Sequence, residues 1–232
     1  MKTKRTAWGI LFTMCISFFA IQAQGDEIYH YQGKVGERVK NFTWQLTKSE
    51  FDVISTKQYD FTFTNVCKHN GETVLWEVEG PKTSVRAHRA GNLLIIQGTK
   101  YGEKVDHKWK IDSSPWYQPL TYSLRQFSKT DQDTVSFWTL RFDNLKVRKL
   151  RAKKQNTVEL MVGEIPVKSQ LIEVKLKWGL SVLWNASYWF RAGDGVFLRY
   201  ESVHGFPGTD KTIIAMEPNL NAKQFANKQL EP

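Results

Sequence analysis

The chain has 232 residues and a formal net charge of +10, long enough for one substantial core. An apolar share of 41 %, with 13 % aromatic residues, excludes an intrinsically disordered polymer, and two cysteines, Cys15 and Cys67, exclude a disulfide-built scaffold. The basic excess leaves an anionic partner open without identifying one.

Lys2, Lys4 and Arg5 precede an apolar run from Ala7 to Ala20, the layout of a secretory signal peptide. A membrane anchor needs roughly 20 apolar residues, and Gln22, Gln24 and Asp26 interrupt the run first. Cleavage after Ala23 is therefore expected, although Ile21 stands where a small residue is usual. Met14 before Cys15 argues against a lipid-attachment site. Loss of Lys2, Lys4 and Arg5 lowers the formal charge from +10 to +7 and leaves Cys67 as the single cysteine. Its apolar neighbours Phe61, Phe63 and Val66 predict a buried, unreactive thiol. The chain divides into a signal peptide (1–23), one β-rich domain (24–218) and a polar tail (219–232).

Alternation of apolar and polar residues marks strands along the domain. It runs through Glu27 to Tyr31, then Phe42, Trp44 and Leu46, then Phe51 and Val53, then Tyr59, Phe61 and Phe63, with a turn at Asn70-Gly71. Val74, Trp76 and Val78 follow, broken by Gly80-Pro81, and Val85 to Arg89 closes at Gly91-Asn92. Leu93 to Ile96 is a continuous apolar run, as in a strand buried on both faces. Val105, His107, Trp109 and Ile111 alternate again. Between Ser114 and Ser128, Tyr117, Leu120, Leu124 and Phe127 recur at helical spacing, and Pro119 suits a first turn.

Strands resume at Ser136, Trp138, Leu140 and Phe142, and continue through Lys146 to Lys154 and Thr157 to Val162. The strongest pattern lies between Ile172 and Met216. There Ile172, Val174, Leu176 and Trp178 alternate with Glu173, Lys175 and Lys177, and Val182, Trp184, Ala186, Tyr188 and Phe190 share the next face. Ala192 to Gly195 supplies a turn, and Val196 to Glu201 returns; Gly205 to Gly208 then turns the chain into Thr212 to Met216. The expected fold is all-β and mainly antiparallel, a strongly curved sheet or barrel of roughly a dozen strands with one covering helix near 117–128.

No reaction is spelled out. His30, His69, His88, His107 and His204 are scattered without zinc-ligand spacing, and no nucleophile elbow or phosphate-cradling loop occurs. Asp194 between Gly193 and Gly195 is explained by turn chemistry. No cofactor or metal is expected. In a curved sheet Trp138, Trp184, Tyr188 and Phe190 are candidates to line a cavity for an apolar or amphiphilic ligand. Lys146, Arg148, Lys149 and Arg151 belong to a basic run suited to an anionic surface, or to a solvated strand face that discourages aggregation.

Trp116-Tyr117, Phe137-Trp138, Tyr188-Trp189-Phe190, Gly193-Asp194-Gly195 and Leu198 to Glu201 together resemble exported bacterial β-proteins of the family numbered domain of unknown function 3108. The resemblance implies a periplasmic curved-sheet protein of a Gram-negative bacterium and carries no catalytic residue. The function expected is binding of a lipid or other amphiphilic envelope component, with possible peripheral contact to a membrane and no nucleic acid partner. The alternatives are an envelope-glycan hydrolase using paired carboxylates and a structural or assembly protein of the envelope.

Overall fold

The computed structural model describes residues 26–176, 184–204 and 211–218. The expected signal peptide, Trp178, Val182, the turn at 205–208 and the tail 219–232 lie outside the described residues.

The first eight strands are β1 (Glu27–Val35), β2 (Arg38–Lys48), β3 (Asp52–Gln58), β4 (Phe61–Cys67), β5 (Thr73–Gly80), β6 (Thr83–Ala90), β7 (Leu93–Lys100) and β8 (Glu103–Lys110). After helix α1 (Leu120–Ser128) come β9 (Thr134–Leu140), β10 (Val147–Val162), β11 (Ile165–Leu176), β12 (Trp184–Arg191), β13 (Phe197–His204) and β14 (Lys211–Met216). They form one antiparallel sheet in the order β8-β7-β6-β5-β4-β3-β2-β1-β14-β13-β12-β11-β10-β9. Sequence neighbours are therefore sheet neighbours except at two places. β1 pairs with β14, and β8 and β9, consecutive in the chain, are the two outermost strands. The sheet is curved but not closed, so of the expected curved sheet or barrel the chain forms the curved sheet.

Local chemistry explains the meander. Two-residue turns join β1 to β2, β3 to β4, β5 to β6, β6 to β7, β7 to β8 and β10 to β11, and such turns match the twist of the strands they join. In β10 the register shifts between Lys154 and Thr157, where the alternation of the sequence also breaks. This bulge lets one long strand serve two neighbourhoods. Leu93 to Ile96 departs from its expected double burial. Leu94 and Ile96 are fully buried, but Leu93 is 39 % exposed, because β7 lies next to the sheet edge and only one of its faces is covered.

The curl encloses two apolar clusters. In the first, Tyr31, Leu46, Ile54, Ile172 and Phe190 from the sheet surround Leu124 and Phe127 of α1 and Phe137 of β9. In the second, Trp76, Val78, Leu94 and Ile96 of β5 to β7 pack on Trp116, Leu140, Leu145 and Val147. Strands β9 and β10 thus divide the interior, giving Phe137 and Leu150 to one cluster and Leu140 and Val147 to the other.

The link from β8 to β9 makes the seam. The Trp138 N–H donates to the Pro115 carbonyl at 2.8 Å and the Tyr117 N–H donates to the Trp138 carbonyl at 2.9 Å, so this segment runs parallel to β9 along its edge. It is also tied to the start of β5. The Thr73 N–H donates to the Trp116 carbonyl at 2.8 Å, and the Gln118 N–H donates to Thr73 Oγ1 at 2.7 Å. The Gln118 side-chain oxygen accepts from Thr139 Oγ1 at 2.9 Å. One short segment therefore bridges two distant parts of the sheet.

Helix α1 is held by buried polar groups as well as by its apolar face. Gly71 adopts φ +87°, and a Cβ there would lie 3.0 Å from Ser123 Cα; Ser123 Oγ donates to the Gly71 carbonyl at 2.7 Å. The Tyr122 hydroxyl donates to the buried Asp52 carboxylate, which also meets His69 Nδ1 at 2.9 Å. Arg125, whose side chain is 6 % exposed, pairs with Glu27 at 2.6 Å and donates from Nε to the Asp194 carbonyl at 3.2 Å. Lys48 reaches the same Glu27 carboxylate at 2.8 Å.

Burial alone would raise the Glu27 carboxyl, but the hydrogen bond and charge of Arg125, and then those of Lys48, outweigh it and lower its pKa from 4.5 to about 2. A depressed carboxyl stabilises the fold above its unfolded pKa and loses that contribution as pH falls through the folded one. Glu27→Gln is expected to destabilise the protein by about 3 kcal/mol at neutral pH. In urea unfolding the difference from wild type persists down to about pH 4.5 and vanishes as pH approaches 2. A pH-independent difference would show that Glu27 acts through packing.

Candidate functional site

The hairpin of β7 and β8 faces the connection between β9 and β10, and a cleft of about 420 Å³ opens between them, lined in part by Lys100, Tyr101, Glu103, Lys104, Val105 and Leu145. The cleft forms because this hairpin stands at the open end of the sheet and the connection folds back toward it. The Asn144 side chain accepts from the Lys146 N–H at 3.0 Å, fixing the turn. Leu145 takes the left-handed φ of 53° and is nevertheless buried to 3 % exposure in the second cluster. That conformation costs about 1–2 kcal/mol for a residue with a Cβ, which burial of a leucine side chain offsets.

Tyr101 lines the cleft, and a cluster of aromatic rings packs beside it. Phe142 meets Phe63 at 5.3 Å, Phe61 at 5.6 Å and Trp76 at 6.3 Å between ring centroids, all in edge-on arrangements. Tyr101 lies edge-on to Phe61 at 6.3 Å. The Lys100 ammonium sits 5.0 Å from the Phe142 centroid and 5.2 Å from that of Tyr101, and donates to the Asp143 carbonyl. Arg141 pairs with the Asp143 carboxylate. The cleft thus joins Tyr101, Val105 and Leu145 to two lysines, Lys100 and Lys104, and one acid, Glu103, a mixed lining suited to an apolar group that carries a polar or charged head.

The residues singled out from sequence lie elsewhere. Tyr188 and Phe190 are stacked at 6.4 Å inside the first cluster, with Tyr188 also 4.9 Å from Tyr200 and Phe190 5.8 Å from Phe197. Trp184 is half-buried against the same cluster. Trp138 belongs to the seam, where its Nε1 donates to Asp112 at 2.9 Å. Of the basic run, Lys146, Arg148 and Arg151 are exposed, but the Lys149 side chain is only 8 % exposed. It pairs with Asp112 and lies 5.4 Å from the Trp138 ring. The structure thus brings Trp138 and Lys149 together as a seam contact. Lys149 first, then the Trp138 indole and the Ser114 N–H, hold the Asp112 carboxyl well below the usual carboxylate range.

Sequence reading missed Tyr101 and Lys100 and treated Phe142 as a strand residue. The available signal was large aromatics in turns, where polar residues and glycine are usual.

No cluster of three or more His, Cys, Asp or Glu among the described residues is arranged to hold a metal. Cys67 is fully buried and its thiol lies 3.3 Å from the Gln118 carbonyl. Burial pushes this thiol up to about 12, against a smaller opposing effect of the Thr73 hydroxyl.

No protein-family model matches this chain, and no curated protein matches it. Among solved structures it is similar to a β-barrel-like protein of domain of unknown function DUF1849 from Brucella abortus, with a TM-score of 0.55 and 8 % sequence identity over 82 % of this chain and 94 % of that one. At this identity the similarity is one of fold. It places the chain beside an uncharacterised all-β architecture.

Cys67 supplies a direct check on the packing behind α1. With its thiol held near 12 and fully buried, the chain prepared from Gln24 onward, which lacks Cys15, is expected to leave an aromatic disulfide reagent unreacted at pH 8 and to react with one equivalent after unfolding in guanidinium. Rapid reaction of the native protein would contradict this packing.

Proposed function

We propose that the protein is an exported, periplasmic, non-enzymatic binder of an amphiphile with an anionic head group, held at the cleft between the β7–β8 hairpin and the β9–β10 connection. The narrower likeness to the family numbered 3108 belongs to the same proposal. The observation that carries it is the Lys100 ammonium set over the rings of Phe142 and Tyr101 at the cleft mouth. An ammonium has three N–H donors, and one of them serves the Asp143 carbonyl. The others are available to an anionic head group, with Lys104 beside them. Val105 and Leu145 supply the apolar contact for a chain.

On this reading Tyr188 and Phe190 form packed wall, and contact with the ligand passes to Tyr101. A glycan hydrolase needs a carboxyl held protonated near working pH. Glu27 and Asp112 are displaced the other way, toward the ionised form, by Arg125 and Lys149.

Native mass spectrometry of the mature protein purified from its own envelope tests the proposal. Bound amphiphile is expected as a discrete added mass that delipidation removes. Phe142→Ala removes the ring beneath the Lys100 ammonium and should weaken rebinding about fivefold, and Lys100→Gln by a similar factor, the latter without loss of core packing. Absence of any bound lipid and of any rebinding would reject the proposal.

A further inference from the structure

We propose that the hairpin end of the sheet is a docking face for an anionic lipid bilayer. The proposal goes beyond ligand binding in the cleft and does not depend on it. Antiparallel registers place the turns at residues 36–37, 59–60, 81–82 and 101–102 at one end of the sheet. The β9–β10 connection joins them there, since Lys100 reaches Asp143.

Charge is unevenly distributed between the two ends. Segments 34–40, 57–62, 79–84, 99–104 and 141–146 at this end hold nine Lys or Arg against five Asp or Glu. The turns and connections at the other end, 48–52, 67–73, 89–93, 110–114, 129–133, 162–166 and 191–195, hold six against eight. Among the described residues one end is thus cationic and the other mildly anionic, which orients the molecule toward a negative surface.

The cationic end also exposes the side chains that settle at a membrane–water interface. Tyr59 is 69 % exposed, Tyr101 60 % and Val39 52 %. Tyrosine partitions to that interface because its ring is apolar and its hydroxyl polar. Both tyrosines occupy the left-handed region, Tyr59 at φ 54° and Tyr101 at φ 52°, where glycine or asparagine fits without cost and a residue with a Cβ pays about 1–2 kcal/mol. Backbone geometry alone would favour the smaller residues at these turns; the rings keep some contacts within the fold, Tyr101 with Phe61 and Tyr59 with Lys40, yet most of each remains exposed and open to an outside partner.

The turns are also fixed to one another. The Tyr101 N–H donates to Thr83 Oγ1 at 3.1 Å and the Gly102 N–H to the Lys82 carbonyl at 2.8 Å. Lys40 lies 5.0 Å from the Tyr59 ring. Rings and ammonium groups are therefore presented together, with little ordering left to be lost on contact.

Co-sedimentation of the mature protein with phosphatidylcholine vesicles, with and without phosphatidylglycerol, tests the proposal. Binding is expected only with phosphatidylglycerol and falls as salt rises. Tyr59→Gly fits its backbone better than the native residue, so a loss of binding cannot be assigned to misfolding; a loss of about fivefold or more is expected. Lys82→Ser should cost about fivefold. Equal binding to both vesicles, no binding to either, or full binding by Tyr59→Gly and Lys82→Ser with loss in Arg148→Ser/Arg151→Ser would overturn the proposal, the last by assigning the contact to β10. Phe142→Ala separates this face from the cleft. If it abolishes copurifying lipid and retains vesicle binding, both readings stand; if wild type binds vesicles and never carries lipid, the ligand reading alone fails.

Discussion

A sheet of this length that does not close has two edges, and each edge is a row of unpaired backbone donors and acceptors. The structure depends on how the residues between β8 and β9 deal with them. At β9 the cover is made of backbone, with the Trp138 N–H and carbonyl both taken by the segment from Pro115 to Tyr117. At β8 it is made of charge. Every residue of that strand except Val105 is exposed, and Lys104, Lys108 and Lys110 are among them, so a second chain pairing there would have to desolvate ammonium groups. One edge is capped by backbone at Trp138 and the other is guarded by charge.

The seam has a further consequence for the interior. Because the same segment bonds to β9 and to the start of β5, β9 and β10 are drawn inside the curl and divide one cavity into two packed clusters. Trp116 is fully buried there. The Asp112–Lys149–Trp138 contact stands at the beginning of this segment, and Arg89 donates to the Asp112 and Ser114 carbonyls at 2.8 and 2.9 Å. Lys149 is therefore drawn out of the solvent by a partner 37 positions away in the chain.

That distance separates what was legible in the sequence from what was not. Strand alternation is local, so Ile172 to Leu176 and Trp184 to Phe190 could be assigned from period alone, and the break after Lys154 marks the bulge. The helix could be read from Leu120, Leu124 and Phe127 for the same reason. Arg125 could not, because its burial follows from Glu27, 98 positions earlier. Nor could Asp52, whose partner Tyr122 is 70 positions later. The candidate cleft has the same origin. Lys100 and Phe142 belong to different turns, and their proximity is created by the curl. An aromatic-rich strand such as Trp184 to Phe190 draws attention as a binding surface, yet in a sheet that wraps around a helix the inward face of a central strand is where packing is tightest.

Strand number explains why room for a ligand should be sought at the rim. A barrel of eight strands is just filled by its own side chains, and one of 16 or more leaves a channel. Fourteen strands in simple closure would leave a lumen between those limits. Here the interior is taken up by α1, by β9 and β10 and by rings such as Trp76, Trp116 and Phe137, each at 1 % exposure or less. Space reappears where layers diverge, as the β7–β8 hairpin and the β9–β10 connection do at the cationic end. An amphiphile bound there would rest its apolar part on the second cluster and keep its head group among Lys100 and Lys104. Deep enclosure of an acyl chain would require the two clusters to separate and expose Phe137 and Trp116 to water. A shallow cleft beside exposed tyrosines requires no such opening, so ligand exchange at that end can proceed with the seam intact.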